Sequence, residues 1–274
     1  MYCFFVKKGD QYENIPSSPP VEQETNMTDK TYFGFSSVSG EEKTKLVKDI
    51  FRRVAPNYDL MNDLMSLGIH RFWKDHMVWG LDLPPEAHIL DVAGGTGDIA
   101  FRMAKAFPHL NLTITVCDLT LGMVEVGRNR AINQGILKGI EWVNGNAECL
   151  PIRDNSVDLY TIAYGLRNVT HIDKALDEAF RVLKPGGKFV CLEFSHVDSL
   201  LFRKAYDFYS FQLLPVMGEW VAKDRKAYQY LVESIRQFPD QETLAQMLKS
   251  AGFKSVNWQN LLGGISCIHT TVKE

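Results

Sequence analysis

The sequence predicts an α/β protein built on a doubly wound, mostly parallel sheet, and three observations carry that expectation. Short apolar runs alternate with amphipathic helical stretches from His88 to Phe194, the pattern of parallel strands joined by crossover helices. The first run, Ile89-Leu90-Asp91-Val92, meets an acid and then a glycine cluster, Ala93-Gly94-Gly95-Thr96-Gly97-Asp98. That order reads as a strand, a tight turn and the start of a helix. A second acid, Asp118, ends the next strand about twenty-odd residues past the first glycine, where such folds hold the ribose hydroxyls of an adenosine.

Taken in order, residues 1–40 are polar, carry Pro16, Pro19 and Pro20, and are expected to be disordered or processed. A mitochondrial presequence is rich in arginine and poor in acids. This segment has no arginine before Arg52 and carries Asp10, Glu13, Glu22, Glu24 and Asp29, so either the presequence is missing from the chain or targeting is not encoded there. Residues 41–80 turn helical. Leu46, Ile50, Phe51 and Val54 recur at three- and four-residue steps, and the helix must stop before Pro56. The run from Ala55 to Lys74 mixes Tyr, Asn, Met, His and Trp, which suits a helical layer on the sheet, a lid over a site, or both.

The core spans residues 81–274. Strands are expected at His88–Val92, Leu112–Cys117, Ile140–Val143, Val157–Ala163 and Lys188–Phe194, with helices at Asp98–Phe107, Thr120–Gln134 and His171–Leu183. Lys184-Pro185-Gly186-Gly187 marks the stop of the last of these helices. The alternation then breaks. An aromatic-rich insertion at about 198–238, with Phe202, Tyr206, Phe208, Tyr209, Phe211 and Trp220, suits core or dimer packing, or a greasy wall for a long apolar substrate. A helix capped by Asp240 covers Pro239–Ala251, and strands near Ser255–Trp258 and Gly264–Thr271 close the chain as a hairpin. A terminal hairpin on a doubly wound sheet is the seven-stranded ending of the class I, Rossmann-like methyltransferases, whereas a dinucleotide-binding domain would repeat its mononucleotide half.

The glycine loop also matches the dinucleotide fingerprint loosely, over Gly95 to Ala100. Asp91 argues for a different ligand. A carboxylate where a pyrophosphate would lie repels it, but attracts the ammonium and sulfonium of S-adenosylmethionine. Asp91, Gly95, Thr96 and Gly97 are therefore assigned to the methionine end and Asp118 to the ribose. Asn146 and Ala147 should flank the adenine, and Ala163 should offer its backbone.

With 274 residues, 45% hydrophobic and 23% charged, the chain can bury a core of ordinary globular size. A net charge of −3 gives no footprint for nucleic acid. No apolar run is long enough to span a bilayer. Five scattered cysteines read as buried hydrophobes, and neither they nor the seven histidines show ligand spacing, so no metal is expected.

Several stretches are more specific than the glycine loop. They are Tyr58-Asp59-Leu60-Met61-Asn62 through Ser66 to His70, Tyr164-Gly165-Leu166-Arg167-Asn168-Val169, Arg181 to Gly187, and Tyr228-Gln229-Tyr230-Leu231 through Ile235. On these, over roughly residues 32–271, the chain resembles the ubiquinone/menaquinone biosynthesis C-methyltransferases. Thr120 stands where that family usually has asparagine. The resemblance implies methylation of a ring carbon of a polyprenyl benzoquinol, 2-methoxy-6-polyprenyl-1,4-benzoquinol. It implies work on the matrix side of the mitochondrial inner membrane, through peripheral membrane contact, beside other ubiquinone biosynthesis proteins in a multi-subunit complex. Arg167, Asn168 and Tyr58 are the expected catalytic set: Arg167 is too basic to be a free base but can stabilise a developing quinolate and orient a water. Three other readings stay open: a methyltransferase of demethylmenaquinol, a phenol or an amine; a non-catalytic scaffold subunit; and a nicotinamide oxidoreductase.

Overall fold

The computed structural model describes residues 30–54, 63, 66, 68–197 and 225–274. Tyr58 and most of the aromatic-rich insertion lie outside the described residues, as do residues 1–29. The described chain opens with an antiparallel hairpin, β1 (Lys30–Phe33) and β2 (Ser36–Ser39), paired from Lys30↔Ser39 to Phe33↔Ser36. This corrects the expectation that order begins only after residue 40. The polar composition conceals the anchoring contacts, which are distant in sequence. Phe33 stacks on Tyr230 at 4.2 Å, and the Thr31 hydroxyl donates to the Thr170 carbonyl. Gly34, at φ +56, makes the turn.

Helices α1 (Gly40–Val54) and α2 (Ile69–Trp79) follow. The core then runs β3 (His88–Val92), α3 (Asp98–Ala106), β4 (Thr113–Asp118), α4 (Leu121–Asn133), β5 (Ile140–Asn144), β6 (Val157–Ala163), a 3₁₀ turn at Leu166–Asn168, α5 (Ile172–Val182) and β7 (Leu183–Phe194). Then come α6 (Arg225–Gln237), α7 (Gln241–Ser250), β8 (Val256–Leu261) and β9 (Ser266–Val272). The helix expected to reach Leu183 ends at Val182. The Lys-Pro-Gly-Gly run begins the next strand's ladder, with Gly186 at φ +82 donating to the Lys273 carbonyl.

The main sheet is ordered β5-β4-β3-β6-β7-β9-β8, parallel from β5 to β7, with β9 antiparallel to both of its neighbours. The fold is the seven-stranded, Rossmann-like one that the alternation predicts. Strand alternation splits the core in two. Ile89, Leu159, Val190 and Leu192 pack with α1, α2, α3 and α6, while Leu90, Tyr160, Phe189 and Cys191 pack with α5 and α7. Cys117, Cys191 and Cys267 are buried free thiols, and burial pushes Cys117 up to about 12, which makes it an inert hydrophobe.

From β3 the connections run outward one way through β4 and β5, then the other way through β6 and β7. The switch lies between β3 and β6. An open α/β sheet offers its crevice there, at the carboxyl ends of the strands.

Candidate active site

Two residues at that switch carry unusual backbone. Ala93, after β3, has φ +50, and Tyr164, after β6, has φ +56. Left-handed conformations cost a non-glycine residue of order 1 kcal/mol or more and collect at functional sites. The two turns pass so closely that a Cβ on Gly165 would lie 2.4 Å from the Ala93 Cβ. Gly165→Val should lower stability by about 2–3 kcal/mol, measurable as a shifted urea midpoint at unchanged slope.

Asp91 is fully buried on β3, directly opposite Thr161 of β6. The Thr161 hydroxyl donates to its Oδ1 at 2.8 Å, and Oδ2 has no hydrogen-bond partner among the described residues. Burial pushes the carboxyl up to about 7, against the Thr161 hydrogen bond. A folded value above the unfolded one favours folding fully below about pH 4, and the contribution is lost as pH rises through 7. Asp91→Asn should therefore raise the melting temperature of the ligand-free protein by about 5 °C at pH 8, with the gain shrinking towards pH 5. A thermal scan at the two pH values checks it, and an equal gain at both would refute the carboxylate explanation.

The glycine loop forms the floor. Gly97 sits at φ +82 as the cap of α3, and a Cβ there would lie 2.5 Å from the Trp142 ring. Thr96 is buried and accepts from Arg130 Nη1 at 2.7 Å. Asp118 closes β4 and accepts from the N–H groups of Gly95 and Thr120 at 2.9 and 2.8 Å. Burial pushes its carboxyl up against those two donors. A cleft runs past Asp118, Asn146, Ala147, Tyr164 and Asn168 at the carboxyl edge of the sheet. Thr44, Val47 and Phe51 of α1 form its roof. A smaller recess beside it joins Asp91, Thr96 and Ala163. Seven of the eight residues expected to hold a methyl donor thus line the cleft or the adjoining recess, which share Ala93 and Gly95, while Gly97 packs against Trp142 at the turn into α3.

Arg167 is corrected. It does not line the cleft. Its guanidinium is buried with 4% exposure, and Nη1 donates to Glu193 Oε1 and to the Tyr164 carbonyl, both at 2.6 Å. Its backbone N–H reaches Glu193 Oε2 as well. Glu193 lies on β7 beside β6, so the 3₁₀ turn swings the arginine back over the sheet edge. It leaves Asn168, the next residue, to face the cleft. Asn168 Oδ1 accepts from the Tyr230 hydroxyl at 3.0 Å, which fixes the amide.

Sequence reasoning gave no role to Lys74, Glu193 or Arg130. Lys74 left a readable signal: it lies with Trp73, Met77 and Val78 on the buried face of α2, where a lysine is rare unless paired. Its ammonium donates to Asp98 Oδ2 at 2.8 Å. Burial pushes Asp98 up, but Lys74 and Arg102 outweigh it and hold the carboxyl at about 2. Within the helical layer the Ser66 hydroxyl bonds His70 Nδ1 and accepts from the His70 backbone N–H, and burial pushes the imidazole down to about 4.

The arrangement is therefore a cleft at the switch point that ends beside a buried carboxylate and opens under α1 past Asn168. The ubiE/COQ5 methyltransferase family model matches residues 37–273. The mitochondrial 2-methoxy-6-polyprenyl-1,4-benzoquinol methylase of Oryza sativa subsp. japonica is 50% identical over 274 residues, covering 93% of each chain. The Homo sapiens protein of the same name is 48% identical over 276 residues, covering 89% of this chain and 84% of its own. Among solved structures, a SAM-dependent methyltransferase of Thermotoga maritima aligns with TM-score 0.56 and 20% identity, covering 83% of this chain and all of its own. The [4+2]-cyclase SpnF aligns with TM-score 0.60 and 16% identity, covering 84% and 96%. These two share the fold alone; a cyclase on the same scaffold shows why chemistry must be argued from the site.

Proposed function

The chain belongs to the ubiE/COQ5 methyltransferase family, and from that membership we propose that it transfers a methyl group from S-adenosylmethionine to a ring carbon of 2-methoxy-6-polyprenyl-1,4-benzoquinol in ubiquinone biosynthesis. The observation that carries the acceptor is the near full-length similarity to relatives bearing that name. The residues at the switch point fit the donor: a buried carboxylate oxygen with no hydrogen-bond partner among the described residues, suited to an ammonium, and a glycine loop that packs tightly where side chains would strike Asp91 and Trp142.

The sulfonium supplies an already activated methyl, so the protein's task is chiefly positioning. Asp118 holds the ribose hydroxyls, Asn146 and Ala147 flank the adenine, and Gly95, Thr96, Gly97, Asp91 and Ala163 surround the methionine end. Asn168, steadied by Tyr230, hydrogen-bonds a ring oxygen of the quinol, and Tyr58 completes that set. Arg167 acts one layer back. Paired to Glu193, it fixes the turn that presents Asn168, and its charge favours a developing quinolate without contact. A ring proton must leave after transfer, to a base or to an ordered water.

The names of the relatives support a mitochondrial location. The matrix side of the inner membrane, membership of a multi-subunit biosynthetic complex and a homodimer are further parts of the proposal. The polyprenyl tail is what draws the enzyme to a membrane surface.

The test incubates purified protein with methyl-labelled S-adenosylmethionine and a short-tailed quinol acceptor. Label on a ring carbon, stable to acid and alkali, is the expected product. Acid- or alkali-labile label would move the assignment to an oxygen or nitrogen acceptor. Donor binding without transfer to this quinol or to demethylmenaquinol would favour the scaffold.

A further inference from the structure

The buried ammonium of Lys74 points at the recess beside Asp91. The recess is walled by Lys74, Asp91, Gly94, Thr96, Asp98 and Ala163. Among the described residues it therefore holds one cation and a carboxylate oxygen without a hydrogen-bond partner, facing a common space, at the end of the cleft where the methionine part of the donor is assigned. An α-amino acid group is a zwitterion, and its two charges need opposite partners. Asp91 suits the ammonium. The α-carboxylate is then left without a partner unless a cation lies nearby.

We propose that Lys74 is the residue that binds the α-carboxylate of the methyl donor, so that the N-terminal helical layer closes the methionine end of a site otherwise built by the sheet. The inference rests on the methyl-donor reading above. Four observations support it. Lys74 is buried to 4% exposure although it sits on a helix outside the sheet. Among the described residues, the hydrogen bond recorded for its ammonium is the one to Asp98 Oδ2 at 2.8 Å, and an ammonium has three N–H groups. Asp98 is itself shared with Arg102, whose Nε donates to Oδ1 at 3.0 Å and whose Nη1 pairs with Asp75. The aspartate therefore keeps a cation when Lys74 turns part of its charge to a ligand. The Tyr164 ring, 5.8 Å from the ammonium, fixes the other side of its path.

The consequence is a selectivity. Wild type should bind S-adenosylmethionine at least about tenfold more tightly than decarboxylated S-adenosylmethionine, which keeps the ammonium and sulfonium and lacks only the carboxylate. In Lys74→Met the preference should collapse to within about twofold, because affinity for the decarboxylated ligand is unchanged and affinity for the intact one falls. Lys74→Arg should keep most of the preference. Calorimetric titration of both ligands into the three proteins reads this directly, without turnover. A preference that survives Lys74→Met overturns the assignment, as does an equal loss for both ligands, which would mean that Lys74 merely supports the fold. If Lys74→Met does not fold, Lys74→Met/Asp98→Asn, which removes the pair together, is titrated in its place under the same criteria. Wild-type protein that binds neither ligand would refute the methyl-donor reading itself, a different result from the loss of preference.

Discussion

Asp118→Ala is expected to weaken S-adenosylmethionine binding by about a hundredfold or more, and the parallel titration with NADH should show no binding to either protein. Two hydroxyls donating to one carboxylate are charge-assisted hydrogen bonds, worth about 1.5–3 kcal/mol each, and each 1.4 kcal/mol is tenfold in affinity. The same carboxylate accepts from the N–H groups of Gly95 and Thr120, so the substitution also loosens the glycine loop. Thr120→Asn leaves both Asp118 carboxylate oxygens and the backbone N–H in place and should change affinity by less than about threefold. NADH binding in place of the methyl donor would move the protein to the oxidoreductases.

Arg167→Ala should be the most destabilising single change at the site. It leaves Glu193 buried at 1% exposure without its cation, and breaking a buried pair in this way costs about 3–5 kcal/mol. Burial already drives Glu193 above the ordinary carboxylate value against the pull of Arg167, so the stranded acid would take up a proton as the arginine is lost. Removing both charges in Arg167→Met/Glu193→Leu should recover most of the loss, because well-packed apolar side chains replace buried ion pairs at little cost. Denaturant midpoints of the wild type and the two variants check both halves. Turnover of the folded double variant then separates the arginine's roles. A loss in kcat at unchanged KM for the quinol would assign the guanidinium charge to the transition state, and unchanged turnover would leave it a purely structural residue.

The legible part of the site was the part whose chemistry is written locally. Asp91, the glycines and Asp118 sit at strand ends, and an apolar run followed by an acid or glycine announces a strand end without any knowledge of the fold. Asn146, Ala147 and Ala163 follow from the same rule. Arg167 was legible as a residue and illegible as a direction. The sequence places it one position before Asn168, and only the 3₁₀ turn, with Glu193 waiting on the next strand, decides that the asparagine faces the cleft and the arginine faces the sheet edge. Lys74 is separated from Asp98 by 24 residues, and its partner could not be named until α2 was packed on α3.

The sequence by itself determined the elements of this protein and their order. Periodicity, glycine conformation and capping are properties of a few consecutive residues, and they hold in whatever fold those residues enter. It likewise determined the family, because stretches such as Gly165-Leu166-Arg167-Asn168 are specific as strings. The tertiary structure alone decided that β9 inserts between β7 and β8, that the hairpin at residues 30–39 is ordered by Tyr230 and Thr170, and which buried charges face the cleft. Strand order and charge pairing depend on contacts between residues far apart in the chain. Their free energy is a balance between burial and a partner's position, and that position exists only once the chain has folded.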